Sequence, residues 1–165
     1  MKSVLISIQP KWCELIASGK KTVEVRKTRP KIDTPFKCYI YCTSKYYRKG
    51  DGYFQGKYCG KIIGEFVCRN IYDIECCSDD HNYFSQNGTC LTVDEIIGYC
   101  NGKDLYGWHI SDLVIYDKPK ELSEFYRHDN TYDNAFGYLF EDRNKQMPLS
   151  RPPQSWCYVE GAEHE

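Results

Sequence analysis

The sequence predicts a single α+β domain, on three observations. Apolar stretches with a two-residue period recur along the chain, one of them close to each end, and only two segments carry a helical period. The length of 165 residues, with 41% hydrophobic and 27% charged content, suits one globular unit with a real core. No internal repeat, low-complexity tract or linker divides it. Strands at both termini of a small domain further suggest a curled sheet closed by pairing, which removes exposed edges.

Taken in order, residues 3–8 read as a strand. Pro10 suits a first helical turn and opens a helix over 10–18, with Trp12, Leu15 and Ile16 on one side. Gly19 supplies the positive φ of a helix C-terminus. A strand over 21–27 follows, placing Val23 and Val25 on one face and Thr22, Glu24 and Arg26 on the other. Residues 36–43 form a strand with alternating Cys38, Ile40 and Cys42, and 44–57 a loop rich in Gly, Lys and Tyr. One long strand is expected over 60–72, then polar, irregular chain over 73–91. Thr92 and Glu95 have capping-box spacing for a helix through Ile96, Ile97 and Tyr99, ending near Asn101-Gly102. Residues 105–116 read as one or two strands, stopped by Pro119. A surface excursion over 127–150 precedes a closing strand over 155–160, entered through the stiff Pro152-Pro153.

Chemistry concentrates where the first helix meets the second strand. Lys21 and Arg26 offer donors to phosphates or base carbonyls, and Glu24 can accept from an exocyclic amine. Glu24 and Arg26, two apart on a strand, lie roughly 7 Å apart at the backbone. That spacing suits a charged floor beneath a ligand, and equally a solvated strand face.

Gly19, Lys21, Glu24 and Arg26 also give the form Gly-x-Lys-x-x-Glu-x-Arg, which resembles the ASCH domain (activating signal cointegrator homology). This family is a branch of the PUA-like superfamily, and the likeness is to its small stand-alone bacterial and phage-type members. It extends through the lead Val4 to Trp12, Ile62 to Cys68, Trp108 to Leu113 and Arg151 to Val159. The resemblance implies a mixed β-barrel of five to six strands with helices covering its openings. It also implies a charged cleft at Lys21, Thr22, Glu24 and Arg26 that recognises RNA or a modified nucleoside, with Trp156 offering a flat surface nearby. Some ASCH relatives are amidohydrolases that deacylate acetylated cytidine with a Lys-Thr-Glu constellation. Lys21 matches its lysine, but Glu24 stands where its threonine would. Others are ribonucleases, for which no residue set matches here. A protein-interaction module with an inert cleft is a third reading.

A second candidate surface is the loop Lys45, Tyr46, Tyr47, Arg48 and Lys49, where basic and aromatic residues interleave as in proteins that hold phosphates and stack on exposed bases. A mobile surface hairpin is the plain alternative. His109 and Ser111 alternate on one strand face, which does not by itself make a catalytic pair.

The net charge of −1 hides a basic first half (residues 1–69) and an acidic second half, which points to an anionic partner or to halves that neutralise each other in the fold. The ten cysteines carry no Cys-x-x-Cys spacing. Cys76, Cys77, His81 and Cys90 could gather in a loop, but packing thiols are favoured, and neither metal nor cofactor is expected. The first apolar run is too short for a signal peptide core and none approaches a membrane span, so a cytoplasmic protein with reduced thiols is expected.

Overall fold

The computed structural model describes residues 2–44, 58–76, 80–128 and 148–160. Its strands build two sheets. Strands β1 (Lys2–Ile8), β3 (Phe36–Cys42), β4 (Lys61–Cys68), β7 (Ser111–Lys120), β8 (Tyr126–Arg127) and β9 (Trp156–Glu160) form a six-stranded sheet in the order β7-β4-β3-β1-β9-β8. Strands β2 (Val23–Arg26), β5 (Ile71–Ile74) and β6 (Leu105–His109) form a second, in the order β2-β6-β5. The α+β class holds, but the described residues form no closed barrel, and they contain nine strands rather than five or six.

Among the described strands only β1 and β3 run parallel, so the chain must cross over between them. Helix α1 (Pro10–Ala17) and β2 make that crossover, which is how β2 comes to sit outside the main sheet. The apolar run of β1 reflects burial on both faces. Val4, Ile6 and Ile8 enter the larger core with Cys13 and Ile16 of α1, while Leu5 faces a smaller core with Phe125 and Val159. Strand β3 splits the same way, with Cys38, Ile40 and Cys42 on one side and Tyr39 and Tyr41 on the other.

The expected strand over 60–72 breaks at Arg69-Asn70, where the Asn70 carbonyl accepts from the His109 backbone N–H at 3.0 Å. The chain thereby leaves the large sheet as β4 and enters the small one as β5. Pro119 does not stop a strand; it lies within β7, which is an edge strand and tolerates a missing donor. The polar segment 73–91, expected to be irregular, contains helix α2 (Asp80–Gln86). Helix α3 (Val93–Cys100) starts as the sequence indicates, with both bonds of the Thr92–Glu95 capping box in place and Asn101 left-handed at its end. In α1 the buried face is Pro10, Cys13 and Ile16, not Trp12, Leu15 and Ile16; Trp12 stays half-buried at the rim. Most of the expected excursion over 127–150 lies outside the described residues.

The basic and acidic halves of the sequence share both sheets, since β1 pairs with β9, β2 with β6 and β4 with β7. Ion pairs Lys61–Glu121 and Arg69–Asp112 cross between the halves, so part of the asymmetry is neutralised across shared strands.

Candidate functional site: a charged cleft beside the edge of the small sheet

Strand β2 is an edge strand, and the consecutive residues Glu24, Val25 and Arg26 all line one cleft. Alternate side chains of a strand point to opposite faces, so three residues in a row reach one cavity only along a free edge. Two devices fix β2 there. Gly19 takes a φ of +75° and turns the chain out of α1. Gly88, after α2, accepts hydrogen bonds from the backbone N–H groups of Thr22 (2.8 Å) and Val23 (3.0 Å). Gly88 has a φ of +87°, and a Cβ there would meet the Thr22 hydroxyl at 2.1 Å, so a larger residue would be strained and would displace the Thr22 side chain.

Lys21, Glu24 and Arg26 meet as an ion-paired trio. Glu24 holds Arg26 Nη2 at 2.9 Å with Oε1 and Lys21 Nζ at 3.4 Å with Oε2. Their side chains keep 7% (Glu24), 10% (Arg26) and 2% (Lys21) of their exposure. Backbone carbonyls complete the anchoring: Lys21 Nζ donates to Thr89 O at 2.6 Å, and Arg26 Nη2 donates to Ser7 O at 2.6 Å. Arg26 Nη1 reaches Ser155 Oγ at 3.4 Å, and Lys21 Nζ lies 5.1 Å from the Trp12 ring centroid. The trio joins β2 to β1, the segment after α2 and the approach to β9, and carries a formal charge of +1.

The cleft has a volume of about 640 Å³, within the range of small-ligand sites. Two polar atoms of residues on its wall, Arg26 Nε and Thr43 Oγ1, are buried with no hydrogen-bond partner among the described residues. Buried polar groups are normally paired, so these two stand out as unsatisfied at the cleft wall. Trp12, Tyr41 and Tyr99 add aromatic surface, and Tyr99 remains 38% exposed. Burial raises the Tyr99 pKa, with Arg26 opposing and Glu24 reinforcing the shift, so its hydroxyl stays a donor at neutral pH.

Other sequence-derived candidates lie elsewhere. Thr22 does not share the face of Glu24 and Arg26: the pleat begins only at Val23, and Thr22 lines a different cavity with Tyr72 and His109. Trp156 is half-buried against Trp108 with ring centroids 5.9 Å apart, its indole N–H donates to Thr28 Oγ1 at 3.0 Å, and it is not among the cleft-lining residues. His109 and Ser111 separate into the small and large sheets, where Ser111 Oγ donates to Val67 O at 2.8 Å. The loop Lys45, Tyr46, Tyr47, Arg48 and Lys49 lies outside the described residues, although Ser44, just before it, lines the cleft. Cys77 also lies outside them; among the described residues no group of three His, Cys, Asp or Glu is placed to hold a metal ion. Among the described residues no helix is long and apolar enough to cross a membrane. Thr43, Tyr99 and the carbonyls of Ser7 and Thr89 were not indicated by the sequence, because they come from four distant segments with no shared spacing.

A model of the ASCH domain matches residues 6–116. No curated protein matches the chain by sequence. Among solved structures, the fold is similar to an ASCH protein from Zymomonas mobilis, at 22% identity and a TM-score of 0.55, covering 96% of this chain and 87% of that one. A serine-to-alanine variant of the Zymomonas protein gives 19% identity and a TM-score of 0.62 over 96% and 88% of the two chains. A tyrosine-to-phenylalanine variant gives 21% and 0.59 over 97% and 91%.

Proposed function

The chain belongs to the ASCH domain family, and from that premise we propose that its cleft recognises RNA or a modified nucleoside, seating one base against the Lys21–Glu24–Arg26 wall. The observation that carries this reading is the buried trio on the wall of a cavity of about 640 Å³, where Arg26 Nε and Thr43 Oγ1 have no hydrogen-bond partner among the described residues. A base edge presents carbonyl acceptors and amine donors together, which is the pattern that two cations, a carboxylate and a hydroxyl complement. Tyr99 and Trp12 supply faces for the ring. The basic, tyrosine-rich loop 45–49 would follow the phosphates, since it continues directly from Ser44 on the cleft wall.

The amidohydrolase reading has less support. Glu24 occupies the threonine position of that pattern and is spent on two cations, while Lys21 is engaged by Glu24 and the Thr89 carbonyl.

Titration of nucleosides and short single-stranded RNA against the protein and its Glu24→Gln variant tests the proposal. The amide keeps the shape and loses the charge that favours an exocyclic amine, so ligand choice should change while the fold is kept. Replacing Lys45, Arg48 and Lys49 by alanine should flatten the salt dependence of RNA binding by up to about 2 log units per log salt. Identical binding by the unaltered protein and Glu24→Gln would make the trio structural, and turnover of an acylated cytidine would favour the hydrolase.

A further inference from the structure

The small sheet has a second cavity on the face away from the Glu24–Arg26 side chains. By register, Val23 lies opposite His109 and Tyr72 opposite Gly107, which places Val23, His109 and Tyr72 on one face. Between that face and α2 lies a cavity of about 400 Å³. Its rings are Tyr72, Tyr83, Phe84 and His109. Tyr72 sits 5.9 Å from Phe84 and 6.3 Å from His109 between centroids, and Tyr83 stands edge-on to Phe84 at 5.2 Å. Tyr72 and Tyr83 nevertheless keep 36% and 61% of their exposure. Large rings held in a cluster yet left in water are surfaces a ligand would cover.

The chemistry of the lining narrows the ligand. Among the described residues no Lys, Arg, Asp or Glu lines the cavity, so neither a phosphate nor a cationic group finds a formal counter-charge from them. The polar side chains are short-ranged: Thr22, Gln86, Asn87 and the His109 ring. His109 Nδ1 is buried with no partner among the described residues, so no hydrogen bond on that side dictates its tautomer. A flat, uncharged ring with donors and acceptors on its edge meets all of these conditions, and an unpaired nucleobase is such a ring.

Position supplies the link to the cleft. Lys21 belongs to the charged cleft and its neighbour Thr22 to this cavity, so the two sites flank a single peptide unit. We propose that the cavity is a second base subsite, taking an unpaired nucleobase from the same strand whose other base occupies the charged cleft. The inference rests on the cleft reading, and makes the binding site one for at least two nucleotides rather than for a free nucleoside.

Affinities of the full chain for mononucleotides and for homopolymer RNAs of increasing length test it, with Tyr83→Ala and Tyr72→Leu as variants and melting curves as fold control. Tyr83 is mostly exposed, so its truncation should leave the fold intact. Mononucleotide affinity should be unchanged in both variants, while affinity for the longer strands falls about tenfold, as expected for one lost stacking partner. His109 ring resonances should shift on adding the longer strands and stay still with mononucleotides. Longer strands bound equally well by all three proteins, with His109 unperturbed, would overturn the second subsite and leave the cleft reading intact. Failure of the unaltered protein to bind any nucleotide would overturn the cleft reading, and the subsite with it.

Discussion

Lys21, Glu24 and Arg26 on the small sheet and Lys37, Glu65 and Tyr116 on the large one each place one carboxylate between two donors. Glu65 takes Lys37 Nζ at 2.8 Å on Oε1 and the Tyr116 hydroxyl on Oε2, just as Glu24 divides its oxygens between Arg26 and Lys21. The outer group keeps water: Lys37 is 38% exposed and Glu65 16%, against 2% for Lys21 and 7% for Glu24. It is built from one cation, one anion and a neutral hydroxyl, whereas the cleft trio is left with a surplus cation. Arg26 Nε within that trio, and Thr43 Oγ1 on the same cleft wall, are buried with no hydrogen-bond partner among the described residues. Similar hydrogen-bonding chemistry therefore sits in different surroundings: a screened network ties strands together, while a desolvated one lines a cleft.

The comparison breaks most readily at Arg26. Arg26→Ala would leave Glu24 buried with only Lys21 to offset it and free the Ser7 carbonyl. A loss of about 3–5 kcal/mol is expected in denaturant unfolding. If the loss were no larger than that of an exposed pair, the two networks would be energetically alike and the burial argument would fail.

The sequence made the cleft half legible. The motif from Gly19 to Arg26 indicated that Lys21, Glu24 and Arg26 would meet because its spacing is local: one helix end and one pleat. Thr22 was misplaced because its backbone is captured by Gly88, some 66 residues downstream, before the pleat begins. Segment 73–91 read as irregular because its polar composition masks its tertiary work: Gly88 clamps β2 and Thr89 O receives Lys21. Tyr99 was legible as a residue of a capped helix, but nothing in that pattern says which way it faces. Likewise the break at Arg69-Asn70 carries no Gly or Pro signal, and the transfer from one sheet to the other is decided by pairing with β6.

Tyr116 sharpens the contrast at intermediate size. Its pKa is raised, chiefly by burial and then by the hydrogen bond to Glu65. Tyr116→Phe should cost about 1 kcal/mol at neutral pH, since Glu65 loses a donor but remains partly in water with Lys37 beside it. The sign of the pH effect follows from the raised value. The stabilisation is complete below the ordinary tyrosine pKa of 10.0 and is lost as pH rises through the higher folded value, because the unfolded chain ionises first. Melting temperatures of the protein and Tyr116→Phe should therefore converge in the alkaline range. A constant gap would mean that the hydroxyl contributes through packing alone.

The smallest effect is expected at Lys37. Its pKa is raised mainly by the hydrogen bond from its ammonium to Glu65, with burial working against the shift. An ion pair this open to water is screened, and holding a long side chain in one place costs entropy that offsets most of the attraction. Lys37→Ala should lower stability by at most about 1 kcal/mol at low salt, and the difference should shrink as salt is added. Removal of Lys37 also leaves Glu65 still bonded to Tyr116 and accessible to water, so no charge is stranded. Arg26→Ala leaves Glu24 with Lys21 but almost no water, and its cost should persist at high salt because ions do not enter the buried wall. Denaturant midpoints of both variants at low and high salt measure this directly. A salt-sensitive loss at Arg26, or a salt-resistant one at Lys37, would show that the difference in burial between the two networks does not govern their energetics.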